Sequence, residues 1–216
     1  MFVGDNSTVT VEGGSITATA NSAPGDPGGY GILNENSQVT ITGGKVTGTN
    51  TGEGDGFGVQ AQNGNAKIII SGGTVTGTSS TAMGVGADAE QGNVTITGGT
   101  VTGNATDKAY GVYARYTGSK INVSGGYING SVDQDNGQCE LSGGYYTAEP
   151  PEEYIVAGLE AVKCKKTKSG VTYHWKIGSP PPPKTGDSTP VFLFSILAVL
   201  SIAGLPIVGR KTRKER

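Results

Sequence analysis

The side chains best suited to ionic or acid–base chemistry in this chain recur at one point of a repeated sequence. Gln60, Asp88, Tyr113 and Arg115 fall within or just after the third apolar run of successive repeats. Polysaccharide cleavage by general acid and base requires two carboxylates about 5–9.5 Å apart. The outward acids here are mostly isolated, and Arg115 is the only arginine before residue 210. We therefore predict a ligand-binding face at these residues and no catalytic residue.

The spacing of these residues predicts two adjacent files of outward side chains on neighbouring strands. The first file is Leu33, Gln60, Gly86 and Tyr113, and the second is Glu35, Gln62, Asp88 and Arg115. This alignment makes Asp88 and Arg115 neighbours one coil apart. We expect them to form a cross-strand ion pair worth about 0.2–1 kcal/mol.

A second candidate ligand face consists of threonines that recur within the second apolar run of each repeat. Thr47, Thr76 and Thr102 occupy equivalent outward positions. Threonine is favoured in strands for its β-branched side chain alone, so ordinary strand chemistry explains the pattern. The other interpretation is an ordered array of hydroxyl groups that binds a glycan, or ice. Lys45 and the asparagines that interrupt the file weigh against ice binding.

The remaining reactive residues predict little chemistry. Turns 23–29 and 51–56 are rich in Gly and acids, but later repeats lack those acids, so we predict neither a Ca²⁺ site nor any other metal or cofactor. His174 has no second ligand or nucleophile near it in sequence. Cys139 occupies an inward position, where a buried thiol is one expectation and a disulfide to Cys164 is the other.

These candidate residues are positioned by a repeat that is marked by Gly-Gly pairs. The pairs begin at residues 13, 43, 72, 98, 125 and 143, at intervals of 30, 29, 26, 27 and 18. Each repeat contains three short runs in which apolar and polar residues alternate, and such alternation indicates strands with one buried face. Stacked repeats of this length predict an all-β solenoid, a parallel β-helix of about six coils. The Gly-Gly pair is expected at the corner between the first two strands.

The pattern resembles the right-handed, pectate-lyase-like β-helix of bacterial surface proteins over about residues 5–148. Enzymes of that kind place acids and bases on a shallow outer face, so the resemblance raises a polysaccharide lyase or hydrolase as the alternative function. The acidic composition argues against nucleic acid, because residues 1–148 carry twelve acidic and five basic side chains, a net charge of −7. No basic and apolar leader precedes the first strand, and we expect the natural gene product to begin upstream of Met1.

The repeats are expected to close with a short last coil and a cap. Between Gly130 and Cys139 we predict that the third strand is missing. Residues 149–178 follow as a cap, with one or two helical turns near Pro150 and then a hairpin. The inward side of that hairpin, packed over the end of the solenoid, is predicted to be Val171, Tyr173, Trp175 and Ile177. This closing region resembles a module of surface proteins from gut Firmicutes.

The composition changes abruptly after residue 178. A proline-rich linker (179–187) precedes an uncharged apolar segment (188–209) and a basic tail (210–216). About 20 apolar residues suffice to span a membrane, and basic residues stay on its cytoplasmic side. This order resembles the sortase sorting signal of Gram-positive bacteria. The resemblance places the sorting pentapeptide at Pro182, Pro183, Lys184, Thr185 and Gly186, with proline where the family motif has leucine, and implies cleavage between Thr185 and Gly186.

The sorting signal implies a secreted protein that is linked covalently to peptidoglycan. Its partners would be a sortase and a peptidoglycan precursor, with residues 188–209 inserted in the membrane before processing. We predict that the β-helix serves as a stalk or as an adhesion module for host or dietary glycans. Lyase or hydrolase activity on the same scaffold is the alternative.

Overall fold

The structure, a computed structural model, describes residues 1–25 and 28–182. The chain is all-β there, with one short 3₁₀ helix at Glu152–Tyr154. Three parallel sheets form a β-solenoid of about five turns, which confirms the predicted architecture. Each sheet contributes six stacked strands to the solenoid, but the strands at both ends are short, so there are fewer complete coils than Gly-Gly pairs.

Each turn of the chain visits the three sheets in the same order. Sheet A contains β1 (Phe2–Val3), β4 (Gly29–Asn34), β7 (Gly56–Ala61), β10 (Met83–Ala89), β13 (Lys108–Ala114) and β16 (Ser131–Gln134). Sheet B contains β2 (Thr8–Val11), β5 (Gln38–Ile41), β8 (Lys67–Ile70), β11 (Asn93–Ile96), β14 (Lys120–Val123) and β17 (Gln138–Leu141). Sheet C contains β3 (Ser15–Ala20), β6 (Lys45–Asn50), β9 (Thr74–Ser79), β12 (Thr100–Asn104), β15 (Tyr127–Asn129) and β18 (Tyr145–Tyr146), and is extended by β20 (Val171–Gly178) and β19 (Glu160–Lys168).

The core is a set of apolar columns that run along the solenoid. In sheet B, Val39 pairs with Ile68, which pairs with Val94 in the next coil, and all three are buried. In sheet C, Val46, Val75 and Val101 stack in the same way and are fully buried. The inward positions predicted from alternation are therefore confirmed through the middle coils. In the first coil, Val9 and Ile16 are only partly buried because no full coil covers them.

The Gly-Gly pair makes the corner between sheets B and C, as predicted. The second glycine of each pair adopts a positive φ, for example 73° at Gly44, where a side chain would be strained. The first glycine is required for a different reason. A Cβ at Gly43 would lie 2.1 Å from the Glu12 carbonyl oxygen of the coil beside it. The pair thus provides both the turn and the close contact between coils.

The last coil differs from the prediction that its third strand is missing. Residues Ser131–Gln134 form β16, which pairs in parallel with β13 and completes sheet A. The sequence does not reveal this strand because no loop separates it from β15. Gly130, with a φ of 114°, turns the chain from sheet C directly into sheet A.

The C-terminal hairpin extends a sheet, whereas the prediction placed it over the end of the solenoid. Strand β20 pairs antiparallel with β18, where Tyr146 lies opposite Trp175, and β19 forms the edge. Tyr173 and Ile177 are buried, as expected for one face of the hairpin, but Val171 and Trp175 are only half-buried. The end of sheet B is instead met by the segment after the 3₁₀ helix, where Ile155 bridges to Leu141. Residues Met1–Pro180 form one compact unit.

Within residues 1–25 and 28–182 there is no helix long and apolar enough to cross a membrane. The predicted apolar segment 188–209 lies outside the described residues, as does the basic tail 210–216.

Candidate functional site

The two predicted files on sheet A exist, but with a different membership. Gln60 pairs with Asp88, and Asp88 pairs with Tyr113, so these three form one file together with Leu33. The prediction aligned Gly86 with Gln60, whereas the structure aligns Asp88 with Gln60. The error is two residues. Because side chains alternate with a period of two, a shift of two keeps Asp88 on the predicted outer face and changes its neighbours. Gly86, which the prediction placed in the outward file, instead faces the core, since a Cβ there would lie 2.6 Å from Val101 Cγ1.

The corrected register makes Asp88 the centre of a buried polar network. Its side chain is fully buried, and it accepts hydrogen bonds from Gln60 Nε2 and from Arg115 Nε, each at 2.8 Å. The predicted ion pair with Arg115 is therefore present as a diagonal contact. However, the estimate of its strength assumed exposed charges. Removing one partner of a buried pair typically costs about 3–5 kcal/mol, because the other charge is left unpaired.

Burial also sets the ionisation of the carboxylates around this network. Desolvation raises the pKa of Asp88 to about 6, although Arg115 and Gln60 favour the charged form. Burial likewise raises the pKa of Glu90, which follows β10, and Arg115 opposes this shift. The negative charge of Glu35 reinforces the rise at Glu90.

An aromatic cluster lies beside the polar network on the outer side of sheet A. Tyr30 and Phe57 stack with ring centroids 4.9 Å apart and planes 9° from parallel. The guanidinium of Arg115 lies 4.9 Å from the Phe57 centroid and 5.2 Å from that of Tyr113. Phe57 and Tyr113 belong to a cluster separate from the main core, together with Val85 and Tyr110.

The position of Phe57 outside the core has a local cause. A Cβ at Gly58 would lie 2.7 Å from Val75 Cγ1, so Gly58 itself faces the core, and the following Val59 is also part of the core. Two successive inward residues break the alternation and leave Phe57 on the outer side. Strict alternation predicts Phe57 on the same inward face as Val59 and Ala61, and for Phe57 this prediction is wrong.

The polar and aromatic clusters together border a cleft of about 540 Å³. Its floor includes Phe57, Gln60 and Arg115, and Tyr30 contributes an aromatic wall. The turn before β7 adds Glu53 and Asp55 at the rim. The other charged or amide residues of the lining are Glu35, Gln62 and Glu90. Asp88 is not part of this lining; it lies beneath, and it orients Gln60 and Arg115.

Three polar atoms at this site are buried without a hydrogen-bond partner. They are Gln60 Oε1, Gln62 Oε1 and one terminal guanidinium nitrogen, Arg115 Nη2. Asp55 Oδ2 lies 4.0 Å from that nitrogen. Buried polar groups are normally paired, so atoms such as these indicate a place for a ligand or water. The site offers two acceptors and one donor.

Tyr113 extends the network toward the last coil. Its hydroxyl donates a hydrogen bond of 2.5 Å to Asp135 Oδ2, and its ring stacks on Tyr110 with centroids 4.7 Å apart. Burial, together with the hydrogen bond to Asp135, raises the pKa of Tyr113. Tyr113 therefore stays neutral and acts as a fixed support for Arg115.

The threonine file is confirmed as a structure but is separate from the cleft. Thr47, Thr76 and Thr102 pair in register on sheet C and are each half-buried. The cleft lies on sheet A. The two candidate ligand faces of the sequence analysis therefore belong to different sides of the solenoid. Among the described residues, the cleft over sheet A is bordered by unpartnered polar atoms, whereas the cavity of about 610 Å³ beside Pro150 and Leu159 is not.

The predicted cysteine pair is not joined in the structure. Cys139 is a buried free thiol within 3.5 Å of the Asp133 carbonyl oxygen, whereas Cys164 lies in the hairpin, 3.7 Å from the carbonyl oxygen of Tyr173. Because the hairpin extends sheet C and does not cover the end of the solenoid, the two thiols have separate neighbours. Desolvation raises the pKa of Cys139 to about 12.

Sequence reasoning missed several residues of the cleft. Tyr30, Phe57 and Glu90 were not proposed as ligand contacts, and the acids at Glu53 and Asp55 were considered only as metal ligands. The sequence did contain a signal, because a large apolar residue precedes the first glycine of the third apolar run in successive repeats.

No group of three or more His, Cys, Asp or Glu side chains that could hold a metal ion occurs among the described residues. Of the sorting pentapeptide, Pro183, Lys184, Thr185 and Gly186 lie outside those residues.

Fold and site thus define a parallel β-solenoid with a cleft over one sheet. The chain matches no protein-family model, and no curated protein or solved structure shows significant similarity to it.

Proposed function

We propose that this protein is a glycan-binding β-solenoid displayed on the surface of a Gram-positive cell. The observation that carries the proposal is the cleft over sheet A, which combines the aromatic wall of Tyr30 with buried, unpartnered atoms of Gln60, Gln62 and Arg115. Sugar rings present apolar C–H faces that pack on aromatic rings, and their hydroxyl groups both donate and accept hydrogen bonds. A glycan therefore matches both parts of the cleft.

Display on the cell wall is supported by the order of the C-terminal sequence. A sorting pentapeptide at residues 182–186, an apolar segment and a basic tail are the parts that a sortase substrate requires. The sortase would join Thr185 to a peptidoglycan precursor and release residues 186–216. The solenoid would then project from the wall with its cleft open to glycans of the host or diet.

The test is binding of the full chain to a panel of oligosaccharides. Tyr30→Ala removes the aromatic wall, and we expect it to weaken binding by about tenfold or more, since a stacked aromatic contact is worth about 0.5–1.5 kcal/mol beyond its buried area. Tyr116→Ala is the matched control, because Tyr116 is an exposed tyrosine outside the cleft. Equal losses in the two variants, or no binding of any glycan by the wild type, would contradict the proposal.

Polysaccharide cleavage in the same cleft is the second candidate function, and one observation favours it. Glu90 borders the cleft with a pKa that burial and Glu35 both raise, as a general acid requires. Incubation with the same panel distinguishes the functions. New reducing ends or unsaturated products that are lost in Glu90→Gln would favour an enzyme, whereas retention of intact glycan would favour a binding protein.

A further inference from the structure

The accessible charge of the cleft over sheet A is strongly negative. Its lining carries four carboxylates, from Glu35, Glu53, Asp55 and Glu90, and within the described residues the only cation of the lining is Arg115. That guanidinium is already paired with Asp88 at 2.8 Å, and its side chain is 15% exposed. An anionic ligand would therefore meet four acids and one cation that is engaged elsewhere. Like charges brought together in this way exclude a ligand effectively.

Two of the three unpartnered atoms of the cleft are hydrogen-bond acceptors, so a ligand must mainly supply donors. Gln60 is 3% exposed, and its amide donates through Nε2 to Asp88. This bond fixes the orientation of the amide, because the opposite orientation would place Oε1 against a carboxylate oxygen. Gln60 Oε1 is left as an acceptor without a donor, and Gln62 Oε1 is in the same state. A ligand that fits must bring at least two donors and one acceptor, the latter for Arg115 Nη2.

We infer that the cleft selects glycans whose sugars carry free amino groups. The inference rests on the proposed glycan-binding function and names the class of sugar. An ammonium group has three donors and a positive charge, so it satisfies the glutamine acceptors and faces the rim acids. The ring hydroxyls supply the acceptor for Arg115, and the ring face packs on Tyr30. Uronic acids have hydroxyl donors but no ammonium group, and each adds a carboxylate that the rim acids repel, so the cleft excludes them.

The test compares three tetrasaccharides with the full chain at about pH 6, where primary amines carry a proton. They are the β-1,4-linked oligomers of glucosamine and of N-acetylglucosamine, and an oligogalacturonate. By calorimetry we expect the glucosamine oligomer to bind at least about tenfold more tightly than its acetylated form, a difference of about 1.4 kcal/mol. We expect no binding of the galacturonate. Added salt should reduce the preference for the amine, because rim charges are screened.

Two variants assign the preference to the cleft. Glu90→Gln and Glu53→Gln each remove one acid from a different part of the lining, and each should reduce the ratio of the two affinities severalfold. Glu12→Gln makes the same change in net charge at an exposed position outside the cleft and should leave that ratio unchanged. Two independent positions in the cleft keep the test valid if one variant folds poorly.

The outcomes separate this inference from the proposed function. Equal affinity for the amino and acetylated oligomers, or tightest binding of the galacturonate, would overturn the selectivity while the glycan-binding function stands. A preference for the amine that Glu12→Gln reduces as much as Glu90→Gln does would also overturn it, since net charge alone would then explain the result. Absence of binding to every glycan would overturn both.

Discussion

At Asp88, desolvation raises the pKa by more than the ion pair with Arg115 lowers it. Its carboxylate has Arg115 and Gln60 as donors, yet desolvation raises its pKa to about 6 from an ordinary value of 3.8. Between these two values the folded state binds more protons than the unfolded chain. The free energy of unfolding therefore falls as the pH rises through this window. Two pKa units correspond to about 3 kcal/mol for this one group.

Asp88→Asn should remove this contribution to the pH dependence. We expect the stability of the variant relative to wild type to improve by about 2–3 kcal/mol between about pH 4 and pH 7, because only the wild type acquires a buried charge. Glu90 adds a smaller slope of the same sign to both proteins. Urea unfolding across this range measures the difference. If the wild type gains relative to the variant as the pH rises, Arg115 dominates and the pKa of Asp88 is lowered.

The two thiols should differ sharply in reactivity. Cys139 is buried and its pKa is raised to about 12, so its thiolate is scarce at neutral pH, whereas Cys164 is partly exposed. We expect a thiol reagent to modify one cysteine per native chain and two in denaturant, without prior reduction. Cys164→Ser should abolish the native reaction and Cys139→Ser should not. An oxidised chain that reacts only after reduction would show the disulfide that the structure lacks.

The corners between strands test whether the first glycine of a Gly-Gly pair is needed for the turn itself or for the contact with the neighbouring coil. Gly13 and Gly43 are the first glycines of successive Gly-Gly pairs. A Cβ at Gly43 would meet the Glu12 carbonyl oxygen at 2.1 Å, but a Cβ at Gly13 would meet nothing within 4 Å. Gly43→Ala should therefore destabilise the protein by about 1–3 kcal/mol or more through the contact between coils. Gly13→Ala should be neutral or slightly stabilising, since it only restricts the unfolded chain. Equal melting temperatures for the two variants would contradict the stacking of β2 against β5.

Strand β12 offers a matched test of the inward and outward faces. Val101 is fully buried between Val75 and Ile128, and its neighbour Thr102 is half-buried on the outer face. Val101→Asp should cost several kcal/mol because it buries an unpaired charge, and Thr102→Asp should cost much less. Thermal unfolding measures both, and similar melting temperatures would contradict the assigned faces.

The proposed anchoring of the entire protein depends on a single peptide bond. A sortase thiolate would attack the Thr185 carbonyl, and an amino group of the wall precursor would then resolve the thioester. With a functional signal peptide fused before Met1 in a Gram-positive host, we expect a wall-linked peptide that ends at Thr185. Digestion of the wall with muramidase followed by mass spectrometry would detect it.

Two substitutions make this anchoring test specific. Thr185→Ala should move the protein to the membrane or the medium, whereas Thr189→Ala, which lies outside the pentapeptide, should leave it in the wall. Recovery of the intact wild-type chain from detergent-extracted membranes would contradict covalent anchoring.

The architecture could be predicted from the sequence, because it depends on local periodicity. Alternation places Val39 and Ile41 inward whatever their partners are, and repetition then stacks like residues on like. The glycine pairs fix the corners for the same local reason. The register error of two residues in β10 did not change the predicted architecture, although it placed Gly86 on the outer face, where the structure has it facing the core.

The site could not be predicted from the sequence in the same way, because it depends on which residues of different coils meet. Asp88 lies under the cleft between Gln60 and Tyr113 only in the observed register, and its burial raises a pKa that an exposed ion pair would lower. Phe57 reaches the outer cluster only because Gly58 and Val59 both face the core. The turn that carries Glu53 and Asp55 reaches the rim of the cleft through coil stacking alone. Contacts between coils follow from three-dimensional register and packing density, and no local pattern in the sequence records them.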